Sequence, residues 1–66
     1  MKNGDMILLK VEYNSGVKGK YLIQVTELHP NGLSGYFTCL NYKHDVNDQW
    51  PLGRWSYEDI VSYEVL

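Results

Sequence analysis

Lys20-Tyr21-Leu22-Ile23-Gln24-Val25-Thr26-Glu27-Leu28-His29, followed by Pro30-Asn31-Gly32 and Leu33, is the stretch on which the fold turns. Residues 20–29 set Tyr21, Ile23 and Val25 on one side and Leu22, Gln24, Thr26 and Leu28 on the other, the two-residue period of a strand. Apolar residues on both sides predict a strand that is sandwiched or strongly curved, one element serving two sheets by bending. Pro30-Asn31-Gly32 stops it, and the Asn-Gly pair predicts a tight hairpin whose two residues adopt positive φ.

Working outward, residues 33–42 run back antiparallel, with Phe37 and Cys39 on one face and Tyr36, Thr38, Leu40 and Tyr42 on the other. Gly35 near the start of this strand fits a bulge or bend. Upstream, residues 6–13 form the first strand, with Ile7, Leu9, Val11 and Tyr13 opposed to Leu8, Lys10 and Glu12. Asn14-Ser15-Gly16-Val17-Lys18-Gly19 has the composition of the turn between them. Downstream, residues 43–52 are polar and aperiodic and read as the longest loop, with Pro51 and Gly53 bracketing its end as turn residues. Residues 54–57 make a short fourth strand, with Trp55 and Tyr57 on one side. Residues 56–60 suit a single helical turn, since Ser56 is a good cap and Glu58 and Asp59 favour the positive end of a helix dipole. Residues 61–66 close the chain as a fifth strand, so the expectation is one all-β domain over residues 1–66.

A chain of 66 residues has room for one thin core, with only ~60% of the unfolded surface buried. Six Tyr and two Trp against one Phe suit half-buried and contact positions, so the deep core falls to Ile, Leu and Val. The single cysteine, Cys39, excludes an intramolecular disulfide and a multi-thiolate zinc site, and the reducing cytoplasm suits such a chain. A domain this small without a staple must pack well or oligomerise, so a homodimer is one expectation. The apolar run Met6-Ile7-Leu8-Leu9 is too short for a signal peptide or a membrane span. A net charge of −2 gives no general attraction to nucleic acid or acidic membranes.

Gly4-Asp5 before a first apolar strand, three meandering strands, and Tyr57-Glu58-Asp59-Ile60 as a one-turn bridge to a terminal strand together resemble the SH3-like small β-barrels over nearly the whole chain. The resemblance implies a five-stranded barrel with a short helical turn before the last strand. SH3 domains that bind proline-rich peptides carry two adjacent tryptophans, whereas Trp50 and Trp55 stand five apart, so that activity is not carried over.

For function, the segment from Tyr42 through Lys43, His44, Asp45, Val46, Asn47, Asp48 and Gln49 to Trp50 stands out. A tryptophan in a polar loop is either an interface anchor or a lid folded over an open barrel end. Tyr36, Tyr42, Trp50 and Trp55 form either a stacking surface or cross-strand aromatic pairs within the sheet. The partner-contact set expected from the sequence is Tyr36, Tyr42, Lys43, His44, Trp50, Arg54 and Trp55. His44, Asp45 and Asp48 lack the glycine and the twelfth-position glutamate of a calcium loop, so no metal and no cofactor is expected. No nucleophile, base and orienting group fall in a compact motif, and no glycine-rich loop opens a helix, so the chain is not expected to be an enzyme.

The reading that follows is a non-enzymatic module that contacts a protein partner through a strand edge, the 43–52 loop, or both. The size suits a small bacterial or bacteriophage accessory protein, an inhibitor of a host or defence enzyme among them. Two alternatives stand beside it: a nucleic-acid-binding barrel using Lys10, Lys18, Lys20, Lys43 and Arg54, and a homodimer holding a small ligand in its cleft.

Overall fold

The computed structural model describes residues 1–40 and 49–66. Five antiparallel strands, β1 (Met6–Glu12), β2 (Lys18–His29), β3 (Gly32–Cys39), β4 (Leu52–Ser56) and β5 (Ile60–Val65), form one sheet in the order β4-β3-β2-β1-β5. One turn of 3-10 helix, Tyr57–Asp59, joins β4 to β5 as expected, although Ser56 makes no side-chain cap bond to it. The fold is therefore all-β, with β1 to β4 meandering and β5 returning beside β1. Among the described residues the ladders run from β4 through β3, β2 and β1 to β5, and none joins β4 to β5. No helix among the described residues is long and apolar enough to cross a membrane.

The twelve-residue β2 is the hinge of the sheet. Its residues 18–24 pair with β1 and its residues 21–29 with β3. Val25 lies opposite Gly35 and Glu27 opposite Ser34, which leaves Thr26 as the extra residue of a bulge. A bulge bends the strand and increases its twist. Gly35 belongs there because a Cβ would lie 2.5 Å from the Gln24 carbonyl oxygen and 2.6 Å from Ile23 Cγ2.

The β2–β3 hairpin falls where the Pro-Asn-Gly signal puts it, but by a different turn. His29 pairs with Gly32, so the two connecting residues are Pro30 and Asn31. Neither Asn31 nor Gly32 has positive φ. The physical reason is the proline, whose ring fixes φ near about −65° at the first central position and forbids a primed turn. The β1–β2 turn is also shorter than expected: the amide of Tyr13 donates to the Val17 carbonyl at 2.9 Å, Gly16 takes φ +85°, and β2 begins at Lys18. Gly19 thereby joins the strand and is buried under the Tyr21 ring.

Alternation delivers the core. Ile7, Leu9 and Val11 of β1, Ile23 and Val25 of β2, Leu33 of β3 and Trp55 of β4 are the buried apolar side chains. Each fully buried aliphatic side chain contributes about 1.5–3 kcal/mol of transfer free energy. Met1, Tyr13, Tyr21, Phe37 and Ile60 pack partly buried around them. The rings of Tyr21, Phe37 and Trp55 form a mutual cluster, with centroids 5.1–5.6 Å apart and two edge-to-face contacts. This geometry suits the aromatic quadrupole.

Candidate protein-contact surface

The buried side chains define an inner face, and the opposite face of β3 and β4 carries the exposed chemistry. Register sets Tyr36 across from Leu52 on one side and Gln24 on the other, and Ser34 across from Arg54. Tyr36 is 46% exposed and Leu52 62%, so this cross-strand pair presents apolar surface to solvent. Arg54 is steadied by donating from Nη2 to Asn31 Oδ1 at 3.3 Å. The amide of Phe37 donates to the Pro51 carbonyl at 3.0 Å, which extends the ladder beyond β4 and brings the preceding residue, Trp50, to the end of the same strand. Trp50 is 37% exposed.

Of the expected contact set, Tyr36, Trp50 and Arg54 are thus carried by one flank of the sheet, β3 and the strand at its edge. Trp55 goes elsewhere: it is 5% exposed and belongs to the core, a correction to its place in that set. Neighbouring residues of a strand point to opposite faces, so an outward Arg54 requires an inward Trp55. Gly53, expected as a turn residue, is a strand residue instead, and it leaves the room for that ring. A Cβ on it would lie 2.7 Å from Trp55 Cη2 and 2.8 Å from Phe37 Cε1. Tyr42, Lys43 and His44 lie outside the described residues. Leu52 was hidden from sequence reasoning because Pro51 and Gly53 on either side mask its alternation with Arg54.

Among the described residues, which leave out Lys43, the cations do not form a continuous track. Lys10 pairs across the sheet with Lys20, and Lys18 with Glu12, at the β1–β2 turn. Arg54 bonds to the β2–β3 turn, at the opposite ends of the strands. Directly opposed like charges destabilise a sheet. Lys20→Glu is expected to raise the urea midpoint by the equivalent of about 0.2–1 kcal/mol at low salt, with the gain shrinking in about 1 M salt.

Among the described residues no three His, Cys, Asp or Glu side chains come together as a metal site. His29 is occupied locally, with Nε2 at 2.9 Å from Ser34 Oγ and 3.9 Å from Glu27 Oε2. A second exposed region lies at the other end of the strand order, where Met1, Leu28, Tyr57, Ile60, Val61 and Tyr63 line an open groove of about 620 Å³. No protein-family model, no curated protein and no solved structure matches the chain.

Proposed function

We propose that the chain is a non-enzymatic binding module that engages a protein partner through the outer face of β3 and β4. The observation that carries this reading is the exposed pair Tyr36 and Leu52, with Trp50 two residues before Leu52 and Arg54 on the same face of β4 as Leu52. Aromatic and arginine side chains dominate binding energy where a partner desolvates them, and rigid rings lose little entropy on being held. The outward backbone groups of β4 add a means of docking an extended segment. Asn31, Pro51 and Gly53 accept or pair on the β3 side, so strand alternation turns the amides and carbonyls of Leu52 and Arg54 away from β3. A module of this kind acts by covering or bridging its target, as accessory and inhibitory proteins do.

The test begins with capture from cells and identification of the protein retained, followed by direct titration of that purified protein. Tyr36→Ala and Trp50→Ala are expected to weaken binding at least tenfold each, equivalent to about 1.4 kcal/mol. Their urea midpoints should stay near wild type, because both side chains are substantially exposed. Retention of nucleic acid with a steep loss of affinity as salt rises, in place of a protein, would sink the reading. Unfolding of Trp50→Ala would establish that residue as a lid and remove it from the surface.

A further inference from the structure

We propose that β5 pairs antiparallel with the β5 strand of a second copy of this chain, with Tyr63 on the two-fold axis. This surface lies at the opposite end of the strand order from the β3–β4 face and does not depend on the function assigned to that face.

The backbone of β5 is set for such pairing. The Leu66 amide donates to the Met6 carbonyl at 2.9 Å, which fixes the phase of the β1–β5 ladder. Hydrogen-bonded pairs alternate along an antiparallel ladder, so Glu64 and Ser62 turn their backbone groups toward Leu8 and Lys10 of β1. Tyr63 and Val65 consequently turn theirs away from β1, to the outer edge of the sheet. Among the described residues no strand covers that edge, which carries a bulge at its start, between the partners of Lys10 and Val11, and the charge of Glu64. The other edge, β4, has room only for a short extended segment, with five residues, Pro51 before it and the charge of Arg54 on it. Edge strands of proteins that remain monomeric are normally protected by such devices. On β5 the exposed apolar residues are Val61, Tyr63 and Val65, with Leu66 beyond them, and Ser62 and Glu64 are exposed between them.

Charge selects both the occupant and the register. Three registers use the outward groups of Tyr63, and the one centred on Ser62 would set Tyr63 against the bulge residue Val61. Centring the pair on Glu64 would set two glutamates face to face, a repulsive contact. Centring it on Tyr63 sets Glu64 of one copy opposite Ser62 of the other. Ser62 lies directly beside Lys10, and Lys10 directly beside Lys20. The row then reads Glu64 of the second copy, Ser62, Lys10, Lys20, so the carboxylate reaches over a small serine toward a like-charged pair on the same outer face. The two-fold axis makes this contact twice. Val65 of the second copy falls opposite Val61, the bulge residue, which borders both the 620 Å³ groove and a hollow beside Lys10 and Lys20. The association also supplies burial that a 66-residue chain with one cysteine is short of.

Sedimentation velocity of the full chain from roughly 1 µM to 1 mM reads the result. The wild type is expected to pass from monomer to dimer over that range, more weakly as salt rises. Tyr63→Pro removes an amide that points away from β1, and proline is tolerated on an edge in that orientation. It should be monomeric throughout with an unchanged far-ultraviolet circular dichroism spectrum. Glu64→Lys should raise the dimer dissociation constant roughly tenfold, and adding Lys10→Glu should restore it. A wild type that stays monomeric across the range overturns the proposal. So does a folded Tyr63→Pro that still dimerises, or a Glu64→Lys variant that dimerises like wild type. If Tyr63→Pro unfolds, the charge exchange alone decides.

Discussion

Trp55→Ala is expected to cost about 3–5 kcal/mol of stability, the largest loss available from a single side chain in this domain. The indole is buried and meets both Tyr21 and Phe37 at centroid distances of 5.5 and 5.1 Å. Truncation removes the shared partner of both rings and leaves a cavity that they cannot fill from their own strands. A domain of this length has about 3–10 kcal/mol of stability in all, so the variant should be substantially unfolded at room temperature. Urea denaturation followed by tyrosine and tryptophan fluorescence measures it, with Trp50→Ala as the contrasting substitution. Two tryptophans of identical chemistry are expected to differ in effect severalfold, because one is core and the other is largely a surface residue. Equal midpoints for the two variants would contradict the packing described here.

Gly35→Val is the second large effect, expected at about 3 kcal/mol or more. Even a single methyl at this position would meet the Gln24 carbonyl oxygen at 2.5 Å and Ile23 Cγ2 at 2.6 Å. The first is backbone and the second belongs to a fully buried side chain, so neither yields cheaply. The clash falls at the residue paired with Val25, where β2 bends through its bulge, and relief would require straightening that bend. Thermal unfolding should show a fall in midpoint of at least about 10 °C, taking about 4–8 °C per kcal/mol for a domain of 60–100 residues. Gly16→Ala is the matched control. It meets nothing within 4 Å, and its cost comes only from a φ of +85°, about 1 kcal/mol. A Gly35→Val protein as stable as that control would mean that the bend is not held where the structure puts it.

Much of this architecture was legible in the sequence because it depends on near neighbours. Period-two alternation assigned Ile7, Leu9 and Val11 to one face of β1 and Tyr21, Ile23 and Val25 to one face of β2, and those faces are the ones turned inward. Pro30-Asn31-Gly32 marked a hairpin because proline and asparagine restrict the chain locally, even though the turn they make is not the one an Asn-Gly pair alone would favour. The one-turn helix before the last strand was legible in the same local way from Glu58 and Asp59 in its first turn, although the cap expected of Ser56 does not form.

What tertiary structure decided was everything that depends on which strand lies beside which. Trp50 and Trp55 look alike in the sequence, and only the vacancy above Gly53, filled jointly by rings from β3 and β4, sends Trp55 inward. Gly53 carries the signature of a turn, and the Phe37 ring brought beside it by the pairing of β3 with β4 makes it a strand position instead. The opposition of Lys10 to Lys20 and the bare outer edge of β5 likewise arise from register and strand order. Alternation tells each strand that it has two faces; which face is covered, and which edge is left without a neighbour, is set by contacts distant in the chain, and no local pattern encodes those.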